Sequence, residues 1–327
     1  MSLKINNKYR KFKRLFIILS ISILHFSNSY AQNYKFPDPY SEKIIFNPAY
    51  SGLSKYTEIN AVFRKGFIYD MYSISYNNYF DKYKSGIGFY AQNTELGKGA
   101  VNNLNISGIY NYKLKPNYKS IINTAVQISY IQQSINPDKL TFSNQIDPLT
   151  GTVSSNNTEI FQTSTKTYDF SAGSTFLSSG YRTGFSIHHI DKIFSDKNQT
   201  ILTPELTIYF GKIFTLNLYD GKQKTSITPE IIYQTQNNFH QIIYSVHGIY
   251  NIFLTRFFLK HNLNFNTFEA VFTFGFNYKK LRVSYTYQTT FTKYSSLPTD
   301  SNLIALRLNI GKGKKIKVKN TIYCLNF

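Results

Sequence analysis

The chain has 327 residues, 37 basic against 17 acidic side chains, a single cysteine and no tryptophan. A mean hydropathy of −0.29, with no run of ~18 apolar residues beyond the N-terminus, excludes a bundle of membrane-spanning helices. The lone Cys324 excludes a disulfide scaffold and a multi-thiolate metal site. Charged residues reach only 17%, and 28 Tyr with 28 Phe bring aromatics to the same share. An aromatic surplus without long apolar runs implies alternation, with every second residue facing something greasy.

Residues 1–31 read as a secretory signal peptide. Lys4, Lys8, Arg10, Lys11, Lys13 and Arg14 precede the apolar run Leu15–Leu24, which is too short to span a bilayer, and Ser29-Tyr30-Ala31 supplies a cleavage site. A single uncleaved anchor is the alternative. Without these six cations the chain stays strongly basic, but Lys far outnumbers Arg, the profile of an AT-rich coding sequence. Export also separates the chain from nucleic acid, so no nucleic-acid partner is expected despite basic residues interleaved with aromatics.

Residues 32–55 form a short segment rich in turn formers, expected as a periplasmic turn or plug against a barrel mouth. From Tyr56 onward, stretches of about ten alternating residues are separated by polar turns. In 268–278, Phe268, Ala270, Phe272, Phe274, Phe276 and Tyr278 alternate with Glu269, Val271, Thr273, Gly275 and Asn277. Strands are predicted near 56–64, 72–80, 84–93, 102–112, 119–132, 168–177, 181–190, 202–214, 225–235, 240–251, 255–265, 268–278, 281–291 and 301–310. The fold class is all-β: a transmembrane antiparallel β-barrel of about 14 strands over 56–310, followed by a basic periplasmic tail, 311–327.

Two features favour a barrel over a soluble sandwich or propeller. The long connections, Ser134–Thr167 and Ile190–Ile201, follow odd-numbered strands. The short turns at Asp81–Tyr83, Leu114–Asn117, Ser178–Gly180 and Lys279–Lys280 fall at the other end, as in outer-membrane barrels. Alternation also puts Arg64, Arg182, Arg256, Arg282, Arg307, Lys260, Glu58, Asp169, Glu205, Glu230 and Glu269 on the polar, inward face; an arginine facing lipid at mid-bilayer costs ~2–4 kcal/mol. His261 and Lys212 depart from this, falling on the apolar face. The inward charges nearly cancel, so they are expected to pair as a lumen charge network in a closed or plugged barrel; a selective pore would line its wall with one sign. Lys312, Lys314, Lys315, Lys317 and Lys319 form either a solvated tail or a periplasmic docking strip for an acidic partner or phosphate-bearing lipid.

Evidence for catalysis is poor. His188 and His189 are adjacent and in a strand would face opposite sides, away from a common metal. Neither HExxH nor G-x-S-x-G occurs. Asp138, Asp147 and Glu159 lack the spacing of a calcium loop. No catalytic residue, metal site or cofactor is expected. Gly86 and Gly88 read as strand glycines that allow close packing or curvature.

Asp38-Pro39-Tyr40, then Ile44-Ile45-Phe46-Asn47-Pro48-Ala49-Tyr50-Ser51-Gly52, resembles the N-terminal signature of the PorP/SprF family of type IX secretion system outer-membrane proteins, in which an apolar stretch leads into Asn-Pro-Ala-Tyr-Ala-Gly. Asn47, Pro48, Ala49, Tyr50 and Gly52 match it, and Ser51 departs. Phe63-Arg64-Lys65-Gly66-Phe67 stands where the family usually has an arginine and then a tryptophan, absent here. Gly86–Asn93, Asp138–Phe142 with Asp147-Pro148, and Gly184–His189 are similar to later family segments. The ending Tyr323–Phe327 is similar to a Cys-Pro-Arg-Phe ending, with Leu325 and Asn326 departing. The resemblance implies a noncatalytic barrel in outer-membrane lipid that serves type IX secretion and gliding motility. Its implied partners are a secreted adhesin cargo with a C-terminal sorting domain and periplasmic secretion-system components. Ser134–Thr167 is then the candidate for outside contacts, and Asp38–Gly52 with the lysine tail for periplasmic ones. A passive or substrate-specific outer-membrane pore is the alternative.

Overall fold

The computed structural model describes residues 35–311, apart from 55, 118, 142–144, 147–163, 194–201, 220–221, 264–265 and 293–299. The signal segment, the five tail lysines, Cys324, Asp147 and Glu159 lie outside the described residues.

The strands are β1 (Thr57–Gly66), β2 (Tyr69–Phe80), β3 (Ser85–Leu96), β4 (Val101–Asn117), β5 (Ser120–Ile135), β6 (Ser164–Ser178), β7 (Tyr181–His188), β8 (Glu205–Lys212), β9 (Phe214–Tyr219), β10 (Lys222–Gln236), β11 (Phe239–Tyr250), β12 (Phe253–Asn262), β13 (Thr267–Tyr278), β14 (Leu281–Thr292) and β15 (Ser301–Ile310). Neighbours in sequence pair antiparallel except β8 with β9, and β1 pairs with β15 from Thr57↔Ile310 to Gly66↔Ser301, so the sheet closes on itself. Closure satisfies the backbone hydrogen bonds that hydrocarbon cannot.

β8 and β9 both pair with β10 and form one stave, so the fifteen segments make a fourteen-stave barrel. The ladder breaks between Glu230↔Gly211 and Ile227↔Phe214, where Pro229 has no N–H to offer. There the Ile213 N–H turns to Gly180 O at 2.8 Å.

Two expected connections are shorter than the sequence suggested. β4 and β5 pair out to Asn117↔Ser120, past an irregularity after Leu114, so Leu114–Asn117 is strand. β5 and β6 pair out to Ser134↔Ser164, which confines the long connection to 136–163. In both places hairpin pairing continues past the expected strand ends.

Alternation holds around the wall. In β13, Phe268, Phe272, Phe274, Phe276 and Tyr278 are exposed, whereas Val271 and Thr273 are buried. The outer face is a belt of rings and aliphatics, and His261 sits on it, stacked on Tyr244 with centroids 5.9 Å apart. Lys212 also leaves the interior, with its Nζ 4.7 Å from the Tyr181 ring centroid and 3.1 Å from the Tyr181 hydroxyl. Each exception thus rests against an aromatic ring of the belt.

Phe272→Arg places a charge on this belt. It should destabilise the barrel by ~2–4 kcal/mol, read as a lower urea midpoint for loss of heat-modifiable migration. Unchanged stability would contradict a lipid-facing Phe272.

Candidate functional site

The segment expected as a mouth plug runs inside the barrel. Asp38 turns the chain, its Oδ1 accepting the Tyr40 N–H at 2.8 Å. A single helical turn follows, α1 (Lys43–Phe46), ended by Asn47-Pro48. Asn47 Oδ1 caps the next turn by accepting the Ala49 N–H at 2.9 Å, and Pro48 opens that turn, where no N–H is needed. Gly52 then takes φ +64 to reverse the chain into the wall. At Gly86 a Cβ would lie 2.8 Å from Gly52 Cα, so that strand glycine permits backbone-to-backbone contact.

These contacts order the plug along the barrel axis. Gly52 O accepts from Lys113 Nζ at 3.0 Å, near the short-turn end. At the opposite rim, Lys35 Nζ meets Glu205 Oε1 at 2.7 Å and Lys35 O accepts from the Tyr69 hydroxyl at 3.1 Å. Between them Tyr40, Ile44, Phe46, Ala49, Tyr50 and Leu53 pack against inward side chains such as Tyr209, Ile232, Phe258 and Val271. The signature residues are therefore contact residues. Asn47 Nδ2 donates to Phe185 O at 3.0 Å, Ala49 O accepts from Asn111 and Asn123 at 3.1 and 3.2 Å, and Tyr50 stacks on Tyr209 at 6.1 Å. Asp38, Tyr40 and Asn47, expected among the periplasmic contact residues, are instead fully buried against the wall.

All the inward charges singled out from the sequence lie on the lumen side. All are buried except Glu269, which is half-buried. The structure joins some of them to one another or to neighbouring wall groups and others to the plug. Arg182 Nη2 meets Glu230 Oε1 at 2.8 Å, and the Tyr40 hydroxyl donates to Glu230 Oε2 at 2.5 Å. His247 Nε2 lies 3.4 Å from the same carboxylate. Arg256 pairs with Asp38 at 2.7 Å, and Arg307 donates to Tyr40 O at 3.0 Å. Lys43 Nζ lies 4.0 Å from Glu58, and Lys260 lies 3.4 Å from Glu269. Arg64 donates to Tyr69 O at 2.9 Å and covers the Tyr69 ring at 3.9 Å. Arg282 lies opposite Arg307 in the β14–β15 ladder, its Nε donating to Asn277 Oδ1 at 2.5 Å.

The sequence reading missed Asp38, Tyr40, Glu42, Lys43, Asn60 and His247 as members of this network. Glu42 accepts from Asn60 Nδ2 at 2.6 Å and from Ser75 Oγ at 2.9 Å; burial raises its carboxyl to about 7 against those bonds. The available signal is Glu42-Lys43 set directly before the apolar run Ile44-Ile45-Phe46 in a segment expected to plug a charged lumen.

Above the plug, at the long-connection end, a vestibule of about 620 Å³ remains. Phe36, Pro37 and Pro39 form its floor, and neutral amides of Gln92, Asn103, Asn105, Gln127, Gln234 and Gln241 line much of its wall. His188 and His189 both face it, contrary to strict alternation, because β7 ends at His188 and His189 adopts φ +60. His188 Nε2 lies 3.4 Å from Phe46 O, and His189 Nδ1 lies 2.8 Å from Asp169. Among the described residues no group of three or more His, Cys, Asp or Glu is arranged to hold a metal ion.

A family model described as "Type IX secretion system membrane protein PorP/SprF" matches residues 28–307. No curated protein matches the chain. Among solved structures, the toluene transporter TbuX of Ralstonia pickettii is 8% identical with a TM-score of 0.51, covering 82% of this chain and 93% of that one. Omp33 of Acinetobacter baumannii is 7% identical with a TM-score of 0.45, over 80% and 100% of the two chains. A FadL homologue of Pseudomonas aeruginosa is 8% identical with a TM-score of 0.39, over 77% and 87%. At such identities the TbuX likeness speaks for the barrel fold alone.

Removing one charge from the Arg182–Glu230 pair leaves the other buried. Glu230→Gln should lower stability by about 3–5 kcal/mol in thermal unfolding, and Arg182→Met with Glu230→Gln should recover part of that loss. Equal unfolding temperatures for wild type and Glu230→Gln would show the pair to be solvated.

Proposed function

Because this chain belongs to the PorP/SprF family of type IX secretion system membrane proteins, we propose that it acts by binding rather than by turnover or conduction. It is an outer-membrane β-barrel of that secretion system. In this reading it docks an adhesin-type cargo through the cargo's C-terminal sorting domain and couples it to periplasmic components. Residues 136–163 supply outside contacts, and Lys312, Lys314, Lys315, Lys317 and Lys319 supply periplasmic ones by attracting an acidic partner.

The observation that supports binding over conduction is the plug. Tyr40, Arg182, Glu230 and His247 meet at the centre of the lumen, and each is at most 3% exposed. An ion crossing there would have to break this node. Glu58, Glu205, Glu230, Arg256 and Arg307 of the wall anchor the plug, a role that mixed signs suit and a selective filter does not.

Purified protein in planar bilayers should show no stable openings; large, steady, anion-preferring conductance would favour the pore reading. In cells, replacing 140–160 with a short Gly-Ser linker should leave a heat-modifiable barrel while surface retention of the adhesin is lost. Undiminished retention would refute the outside assignment.

A further inference from the structure

The plug shows how this lumen holds a polypeptide. Inward side chains donate to its backbone carbonyls one after another: Arg307 to Tyr40 O at 3.0 Å, Asn60 to Ser41 O at 2.7 Å, Ser186 to Phe46 O at 3.0 Å, Asn111 to Ala49 O at 3.1 Å, and Lys113 to Gly52 O at 3.0 Å. Every polypeptide carries such carbonyls, so this mode of binding depends little on the guest's side chains.

The vestibule continues the same wall. Most of its charges are already engaged, Lys35 with Glu205, His189 with Asp169, Lys192 with Asp191 and Lys260 with Glu269. Glu42 is held by Asn60 and Ser75 and Lys166 is exposed, so no cluster of one sign faces a ligand. Cross-strand amide pairs also line it, Gln92↔Asn105 and Gln234↔Gln241, on different arcs of the wall. Gln92, Asn105 and Gln234 are held by neutral wall bonds to Thr94, Tyr90, Ser107 and Thr207, with acceptor capacity left on the Gln92 and Gln234 carbonyls. A carboxamide donates and accepts just as a peptide group does, so such pairs match the backbone of an extended chain. A carbohydrate would offer comparable hydroxyls but also needs an open ring face for its apolar side. Among the described lining residues none is open: Tyr90 is 2%, Phe36 7% and Phe46 9% exposed, and Arg64 covers the Tyr69 ring at 3.9 Å.

We propose that the vestibule is a receptor for a short, extended, uncharged polar polypeptide segment entering from the long-connection end, gripped by amide side chains along its peptide groups. The assignment rests on the cargo-docking reading only for where such a segment would come from. The volume of about 620 Å³ lies in the range of small-ligand sites, enough for a few residues.

The test uses the full-length barrel in nanodiscs and a capped hexapeptide of Ser, Thr, Asn and Gly with one Trp. The chain itself has no tryptophan, so with a tryptophan-free scaffold protein and excitation beyond the tyrosine band the peptide's emission is read alone. Saturable blue-shifted emission is expected, its midpoint moving less than about twofold between ~0.05 and ~0.5 M salt. Gln92→Leu with Asn105→Leu should weaken binding about tenfold. Gln234→Leu with Gln241→Leu does the same from the other arc, so misfolding of one variant leaves the second to decide. Absence of saturation beyond empty nanodiscs, an unchanged midpoint in folded variants, strong salt dependence, or displacement by maltohexaose would each overturn the proposal. The readout needs neither cargo nor membrane orientation. A failure here therefore stands apart from failure of the linker replacement, which tests the docking reading itself.

Discussion

Desolvated charge inside a narrow lumen is the constraint on which the rest of this molecule depends. A fourteen-stave wall that puts hydrocarbon-compatible residues outside must turn every arginine inward, where water is scarce and isolated charge is costly. Arg182, Arg256 and Arg307 are each at most 5% exposed. Their partners are supplied largely by a strand-free segment of about twenty residues. Asp38 answers Arg256, the Tyr40 carbonyl answers Arg307, and the Tyr40 hydroxyl shares Glu230 with Arg182. Wall and plug are thus one electrostatic unit, and neither has a satisfied interior without the other.

That unit gives the N-terminal signature a physical meaning. Asn47 is both a cap for the turn that follows and a donor to a wall carbonyl. The Ala49 carbonyl is shared between two wall asparagines, Asn111 and Asn123. Gly52 reverses the chain in a left-handed conformation at the one place where Gly86 has no side chain to obstruct it. Turn chemistry and wall chemistry have been fitted to the same few residues. The plug fills the short-turn half of the lumen and, among the described residues, leaves a vestibule in the long-connection half.

The strand pattern was legible because a tilted strand between lipid and a polar lumen enforces a period of two over its whole length. The fourteen expected strands correspond to the observed staves, and 301–310 coincides with β15. The departures have local causes. Pro229 interrupts the ladder and divides β8 from β9. The hairpin of β5 and β6 continues to pair beyond the expected ends. The positive φ of His189 turns its ring to the same side as His188.

By itself the sequence determined the barrel, the approximate number of staves, the inward direction of the arginines and the family signature, because each is written in nearest-neighbour order along the chain. Only the tertiary structure decided who partners whom. Tyr40 and Glu230 are separated by 190 positions and Asp38 and Thr273 by 235, yet they meet within hydrogen-bond distance. Alternation specifies the face on which a side chain lies, but not what stands across the lumen from it. That depended on a short apolar segment folding into the barrel, where burying its rings and satisfying the wall's charges are accomplished together.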